Sequence, residues 1–522
     1  MDNGRGQLAT GSLYLSIDSM LAAAIGGVYW IVVAKLAPPG TVGQANIIVA
    51  LAAVLMTFAG LGFNIGASKF IAEHNSKREY AESRRVYSKT LEVTIASSVV
   101  LMIGLVVAAS YAAKITLGNS SLAFLVVIGA LTLPFQAIFK TLYGVYQGAH
   151  RMAYCLIIDA IFLSLRLTLS VALLLAGYGT LGILLGFAAG YLASTIFGMG
   201  YLARRAIPRV REISSTVSTD SFRRLFDFSM PNYVAGIFLI ASIQIPVILL
   251  GVYRGSASAA FFNIAVLTKS IVVAISGSIG LALLPTVAAN ISRGSEESVS
   301  SLYNLSIRSS ILLASVPSLV FFLAPGVALT LISSEYATNA SSALQILMVS
   351  AIGTVILGTC TQMMNSIGRP LTALYVTAAS SLVGLAASVV TIPLWGVEGA
   401  AAASLVSGVA GAILGVTFLS WGGRLKTEIA ALAMPLISVT LAASVGELVI
   451  VRGLSPYLAV GVSLLVLLTL SLILKALTVT EIGSMVKLAI QTISPIMSWR
   501  RRESDLPLRP VASEEEQNPT VS

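Results

Sequence analysis

Fourteen runs of apolar residues recur along this chain, each close to the length that crosses a lipid bilayer, with short polar breaks between them. A bilayer core is about 30 Å thick, so a helix rising ~1.5 Å per residue needs about 20 apolar residues to span it. Inside hydrocarbon every backbone N–H and C=O must bond within the protein, which leaves only helices or closed barrels. Strands of alternating polarity are absent, so a barrel is not expected. Charged residues make up only 10% of the 522 residues and hydrophobic residues 56%. A soluble chain of this size needs about a quarter charged residues to cover its surface. The spans are predicted at roughly 11–36, 41–63, 89–113, 121–145, 152–176, 179–203, 225–251, 256–289, 303–325, 340–366, 370–394, 397–421, 427–451 and 454–478. The stretch 256–289 is long for one crossing. It either runs past the membrane surface or breaks near Gly277, Ser278 and Gly280.

The basic residues choose an orientation. With fourteen spans the termini share a side, and 25 of the 32 Lys and Arg residues fall on that side. Four (Lys35, Lys114, Arg254 and Arg452) fall opposite, and Lys140, Arg166 and Lys269 lie inside spans. The positive-inside rule then puts both termini in the cytoplasm of a multi-pass cell-membrane protein. The net charge of +10 is therefore a membrane signal, and nucleic acid is not an expected partner. Residues 479–522 read as an amphipathic segment followed by a disordered tail holding Glu514, Glu515 and Glu516.

Soluble-enzyme chemistry finds no foothold. The two histidines, His74 and His150, and the two cysteines, Cys155 and Cys360, form no cluster with metal-ligand spacing. No phosphate loop, nucleophile elbow or dinucleotide fingerprint is present. No catalytic residue, metal or cofactor is expected; a coupling ion, H⁺ or Na⁺, stays open.

Shifting the chain by 217 residues brings Asn46-Ile47 onto Asn263-Ile264, and Tyr178-Gly179 with Gly182 onto Trp395-Gly396 with Gly399. At a shift of 218, Arg151 falls on Arg369. Spans 1–6 and 7–12 are thus predicted to be copies. Six is even, so the copies run the same way through the membrane, as two parallel bundles about an axis along the membrane normal. Such bundles can rock about a central cavity. The predicted organisation is an N-terminal six-helix lobe (1–203), a basic linker (204–224), a C-terminal six-helix lobe (225–421) and two added helices (427–478). The chain is expected to act as a monomer.

Charges inside spans cost at least a few kcal/mol each and usually face a cavity or a partner. Arg166 is the most telling. It lies about 20 Å along its helix from the basic end, too deep to snorkel easily. Asp159 precedes it by seven residues, on the same side but too far for a direct ion pair. A structural reading pairs Arg166 with Asp18; a functional reading turns it into a cavity. Lys140 either snorkels or lines the same cavity, and Lys269 lies near mid-span in the other lobe. Together, Arg166, Lys140 and Lys269 would suit a phosphate or pyrophosphate group. Asp18 and Asp159 are the candidates for ion coupling. Gln362 and Asn365, one turn apart, either bond helix to helix or contact a sugar. Pro134, Pro231, Pro246 and Pro285 are expected to kink their helices.

Ile31-Val-Val-Ala-Lys-Leu-Ala-Pro-Pro-Gly-Thr-Val-Gly43 resembles the polysaccharide-biosynthesis flippases, and so does Phe228-Ser-Met-Pro231 at the start of the second lobe. Gly179-Thr-Leu-Gly182 and Gly396-Val-Glu-Gly399 are similar to that family's turns into helices 6 and 12. The family belongs to the superfamily of multidrug and toxin extrusion (MATE) exporters and lipid II flippases, and the resemblance covers roughly residues 8–480. It implies a MATE-like fold and a substrate such as a polyprenyl-phosphate- or polyprenyl-pyrophosphate-linked oligosaccharide, carried to the outer leaflet amid membrane lipid. Two departures stand out: Lys35 replaces a common arginine, and Gln244-Ile-Pro246 lacks an acid often found near there. The first alternative is an ion-coupled multidrug or metabolite exporter, although a cationic cavity repels cationic drugs. A membrane enzyme acting on glycolipids is the second, and it lacks catalytic groups on the short outer loops.

Overall fold

The computed structural model describes residues 26–60, 62–206, 219–292, 296–421 and 427–474. Among these residues the regular structure is entirely helical. The first half holds α1 (Gly26–Leu36), α2 (Pro39–Gly60), α3 (Phe63–Ser76), α4 (Tyr80–Val107) and α5 (Ala109–Thr116). It continues through α6 (Ala123–Leu131), α7 (Leu133–Gly148), α8 (Met152–Leu175), α9 (Gly179–Phe197) and the short α10 (Ala203–Ala206). The second half holds α11 (Thr219–Arg254), α12 (Ser256–Ser292), α13 (Glu296–Leu323), α14 (Gly326–Leu329), α15 (Ser334–Ser366), α16 (Pro370–Trp395) and α17 (Val397–Trp421). Two further helices, α18 (Ile429–Val451) and α19 (Pro456–Ile473), end the described chain.

Thirteen helical stretches are long and apolar enough to cross a membrane, and α1 is a shorter apolar helix. The protein is therefore a multi-pass membrane protein, with the crossings close to where hydropathy put them. Most of the first predicted span, Asp18 included, lies outside the described residues, as do residues 207–218 of the linker and everything after 474. Loops bearing Lys77, Arg151 and Arg369 lie at one end of the alternating helices, here the basic face. Lys114, Arg254 and Arg452 lie at the opposite face.

Local chemistry sets the helix ends. Pro370 and Pro456 open α16 and α19, where a missing N–H costs nothing. Ser333 and Ser455 cap α15 and α19, accepting from the backbone N–H groups of Tyr336 and Leu458. The fourth crossing breaks at Thr132, two residues before Pro134, which separates α6 from α7. By contrast, α11 and α12 run continuously through Pro231, Pro246 and Pro285. The long stretch that begins at Ser256 is thus one unbroken helix of 37 residues. At ~1.5 Å per residue it is about 55 Å long and passes well beyond a bilayer core.

The internal repeat recurs in backbone geometry. His150 and Gly368 both have positive φ, 54° and 78°. The next residues, Arg151 and Arg369, share φ/ψ near −110°/54° and −113°/55°. Their N–H groups donate to Tyr146 and Met364, each at 2.8 Å. Neighbour relations repeat as well: α8 packs on α9 as α16 packs on α17, and α4 packs on α7 as α13 packs on α15. The two six-helix bundles run parallel, while α18 and α19 pack on each other and on α13.

Small residues let the bundles close, since lipid offers no hydrophobic drive between helices. A Cβ on Gly43 of α2 would sit 1.6 Å from the carbonyl oxygen of Ser256 at the start of α12, so the halves meet backbone to backbone there. Within the second half, a Cβ on Gly353 of α15 would lie 2.8 Å from the backbone of Gly408 on α17.

Candidate functional site: a caged arginine and a serine-bound lysine

On α8, Phe162, Leu163, Arg166 and Ser170 recur at helical spacing and form the buried stripe. Gly186 and Gly190 on α9 face that stripe. A Cβ on Gly186 would lie 2.0 Å from the Ser170 hydroxyl, and one on Gly190 would lie 2.9 Å from the Phe162 ring. These glycines bring α9 close enough for Phe187 to reach Arg166. Tyr29, on α1, closes the third side, and its hydroxyl lies 3.1 Å from that of Ser170.

The result is an aromatic cage. The Arg166 guanidinium carbon lies 4.0 Å from the Tyr29 ring centre and 4.9 Å from those of Phe162 and Phe187. Tyr191 and Phe139 extend the aromatic cluster behind Phe162. Arg166 is only 6% exposed, and its Nε and Nη2 have no hydrogen-bond partner among the described residues. No carboxylate among the described residues stands within ion-pair distance of it. Each cation–π contact contributes about 0.5–2 kcal/mol, more when water is excluded. Each unmet charged donor costs at least ~1–3 kcal/mol. The cage therefore holds the charge in place but leaves two N–H vectors without an acceptor, and an anion is the group that would satisfy them.

The other predicted residues are placed differently. Asp159 is half-buried and accepts a hydrogen bond from the Tyr143 hydroxyl, with Arg166 felt only through space. Lys140 is exposed on α7 beside the buried Phe139, and no partner among the described residues holds it. Lys269 on α12 is in the other half, where its ammonium donates to the hydroxyls of Ser350 on α15 and Ser404 on α17, each at 2.9 Å. Arg166 and Lys269 thus have different immediate partners, aromatic rings in one half and serine hydroxyls in the other. Gln362 is half-buried with its side-chain oxygen unpartnered among the described residues, whereas Asn365 is exposed near the basic end of α15. Asp18 lies outside the described residues.

Sequence reasoning missed the cage residues Tyr29, Phe162 and Phe187. One signal was available: Phe162 stands four residues before Arg166, one helical turn away. Tyr29 carried none, because it comes from a helix more than a hundred residues distant. Ser350 and Ser404 were equally invisible among many serines.

A family model described as polysaccharide biosynthesis protein matches residues 8–291, more than half of the chain. The chain belongs to the polysaccharide biosynthesis protein family. Three solved structures share the fold of this family member at low sequence identity. The lipid II flippase MurJ, in an inward closed conformation, aligns with a TM-score of 0.69 at 14% identity, over 88% of this chain and 98% of that one. An inward-facing multidrug-resistance MATE transporter of the MOP superfamily gives 0.64 at 14% identity, over 79% and 98%. A MOP-superfamily transporter from Pyrococcus furiosus, described as having a binding pocket of reverse polarity, gives 0.53 at 15% identity, over 80% and 95%. No curated protein matches in sequence.

Proposed function

We infer that this protein is a flippase that moves a polyprenyl-phosphate- or polyprenyl-pyrophosphate-linked oligosaccharide from the cytoplasmic to the outer leaflet of the cell membrane. Both termini are cytoplasmic in this reading, and it rests on alternating exposure of the space between two parallel bundles. The observation that carries it is Arg166: a buried guanidinium with aromatic walls and, among the described residues, neither a carboxylate nor an acceptor for its Nε and Nη2. A guanidinium is matched to phosphate by geometry as well as charge, and it keeps its proton at any physiological pH. The surrounding rings must part to admit the ligand, and they then offer flat faces for sugar.

A multidrug exporter of cations is the weaker reading, since a fixed positive charge at the site repels its cargo. Family membership together with the absence of catalytic motifs supports transport over glycolipid-processing chemistry. The test is deletion of the gene in its host, followed by analysis of lipid-linked glycans. The expected result is a lipid-linked oligosaccharide accumulating on the inner leaflet and a loss of surface glycan. Unchanged surface glycan with altered drug resistance would instead establish the exporter.

A further inference from the structure

The two buried cations differ in one chemical respect: a guanidinium stays protonated, whereas a lysine amine taken out of water can exist in either form. Lys269 sits half-way along the membrane part of α12 and is held by two other helices at once. Its Nζ donates to Ser350 Oγ and Ser404 Oγ, both at 2.9 Å, while Ser350 Oγ donates to the Ser404 carbonyl at 2.8 Å. Its partners are neutral, and no carboxylate among the described residues balances the ammonium. A buried ion pair would lock the charge in place; two hydroxyls do not.

The surroundings isolate this amine. The helices packed on α12 are α2, α11, α13, α15 and α17. α2 carries no titratable side chain. On α17 the only one is Glu398, six residues before Ser404 and about 9 Å along the helix. On α15, Glu335 and Tyr336 lie about 20 Å before Ser350, and Cys360 lies about 15 Å beyond it. Tyr303 of α13 is engaged with Cys360, and Arg308 lies one turn further along α13. On α11, Arg254 donates to the carbonyls of Pro393 and Leu394 at the opposite face, and Tyr233 packs against Gly62. The remaining ionisable positions of α11 and α13 are Asp220, Arg223, Arg224, Asp227, Glu296 and Glu297, within the first nine residues of α11 or the first two of α13. Tyr253 of α11 is exposed beside Arg254 at the opposite face.

Lys269 is also mechanically placed. It stands on the helix whose first residue, Ser256, meets Gly43 of the other half backbone to backbone. Any shift of α12 against α15 and α17 is therefore felt where the halves join. We propose that Lys269, Ser350 and Ser404 form the proton-binding site of this transporter, with one proton carried by the amine and the two serine hydroxyls holding its charged form. When the amine is protonated, α12 is tied to α15 and α17 by two charged hydrogen bonds; when it is neutral, those ties weaken and α12 is free to move. A proton taken up from the outer side and released inward then resets the carrier. The inference rests on the alternating-exposure reading above, but not on the identity of its cargo.

The test uses the full chain, purified into phosphatidylcholine–phosphatidylglycerol vesicles without any glycan. Spin labels at Asn119→Cys, in the loop after α5, and Trp395→Cys, at the end of α16, report the distance between the two halves at the opposite face. The wild-type distance populations are expected to shift at least threefold between pH 6 and pH 9. Lys269→Met should be fixed in the high-pH distribution and Lys269→Arg in the low-pH one, each changing less than about 1.3-fold. Ser404→Ala keeps the amine but removes one hydroxyl from its charged form, so its midpoint should need about tenfold more protons, one pH unit lower. If Lys269→Met does not fold, Lys269→Arg and Ser404→Ala decide. A pH-silent wild type, a Lys269→Arg that still responds, or a response lost in Asp159→Asn but kept in Lys269→Arg would overturn the proposal. None of these outcomes touches the flippase reading, which stands or falls on the lipid-linked glycan.

Discussion

At the residue scale, Arg166 separates structure from function more sharply than any other side chain. Replacing a buried ionic group by a well-packed apolar side chain of similar volume is often neutral or stabilising, and no carboxylate among the described residues balances Arg166. Arg166→Met is therefore expected to hold or raise the melting temperature in detergent while abolishing transport, measured as lipid-linked oligosaccharide flipped in vesicles. Arg166→Lys keeps the charge but loses the flat stacking surface and the forked donors, so transport should fall at least tenfold with expression unchanged. If Arg166 were a purely structural element, Arg166→Met would lower stability and activity together. Tyr29→Phe removes only the hydroxyl contact to Ser170 and should be mild. Tyr29→Ala opens one wall of the cage and should cost about 1–2 kcal/mol through the lost cation–π contact. Phe162 was within reach of the sequence because it sits one turn from Arg166, but Tyr29 was not. Chain distance hides a contact that only folding creates.

At the element scale, glycine spacing decides which helices touch. The faces of α15 and α17 meet at Gly353 and Gly408, where any side chain would strike backbone. Gly353→Leu is expected to lower stability by roughly 1–3 kcal/mol through overpacking, read as a drop in melting temperature. It should also disturb Lys269, whose two serine partners sit on these same helices. Hydropathy located these helices to within a few residues, because lipid imposes a length and an apolar requirement on each crossing. It left open whether the stretch after Ser256 breaks, since Gly277 and Gly280 permit a bend without demanding one. The backbone of α12 stays helical through both.

At the scale of the whole molecule, the added pair α18–α19 contacts the body mainly through α13. Its core is small: Leu312 and Leu319 of α13 against Val439, Ala442 and Leu467. Truncation after Trp421 should therefore leave a monodisperse, folded twelve-helix body by size-exclusion chromatography. The orientation proposed from the basic residues is checked by reporter fusions at both ends of the full chain, which should be active only in the cytoplasm.

The amino-acid sequence by itself determined the class of fold, the crossings, the doubling of a six-helix unit and the presence of costly charges within spans. These properties follow from local composition and from periodicity, which the bilayer reads one helix at a time. Tertiary structure alone decided where those charges went. It put Arg166 among aromatic rings from α1, α8 and α9, and put Lys269 between two serines of the other half. The sequence offered three cations as candidates for one cavity, and folding gives Arg166 and Lys269 different immediate partners, aromatic rings for the one and serine hydroxyls for the other. The reason is physical: a helix dictates which side chains share its face, but the partner across that face is chosen by close approach of small residues on helices far away in the chain.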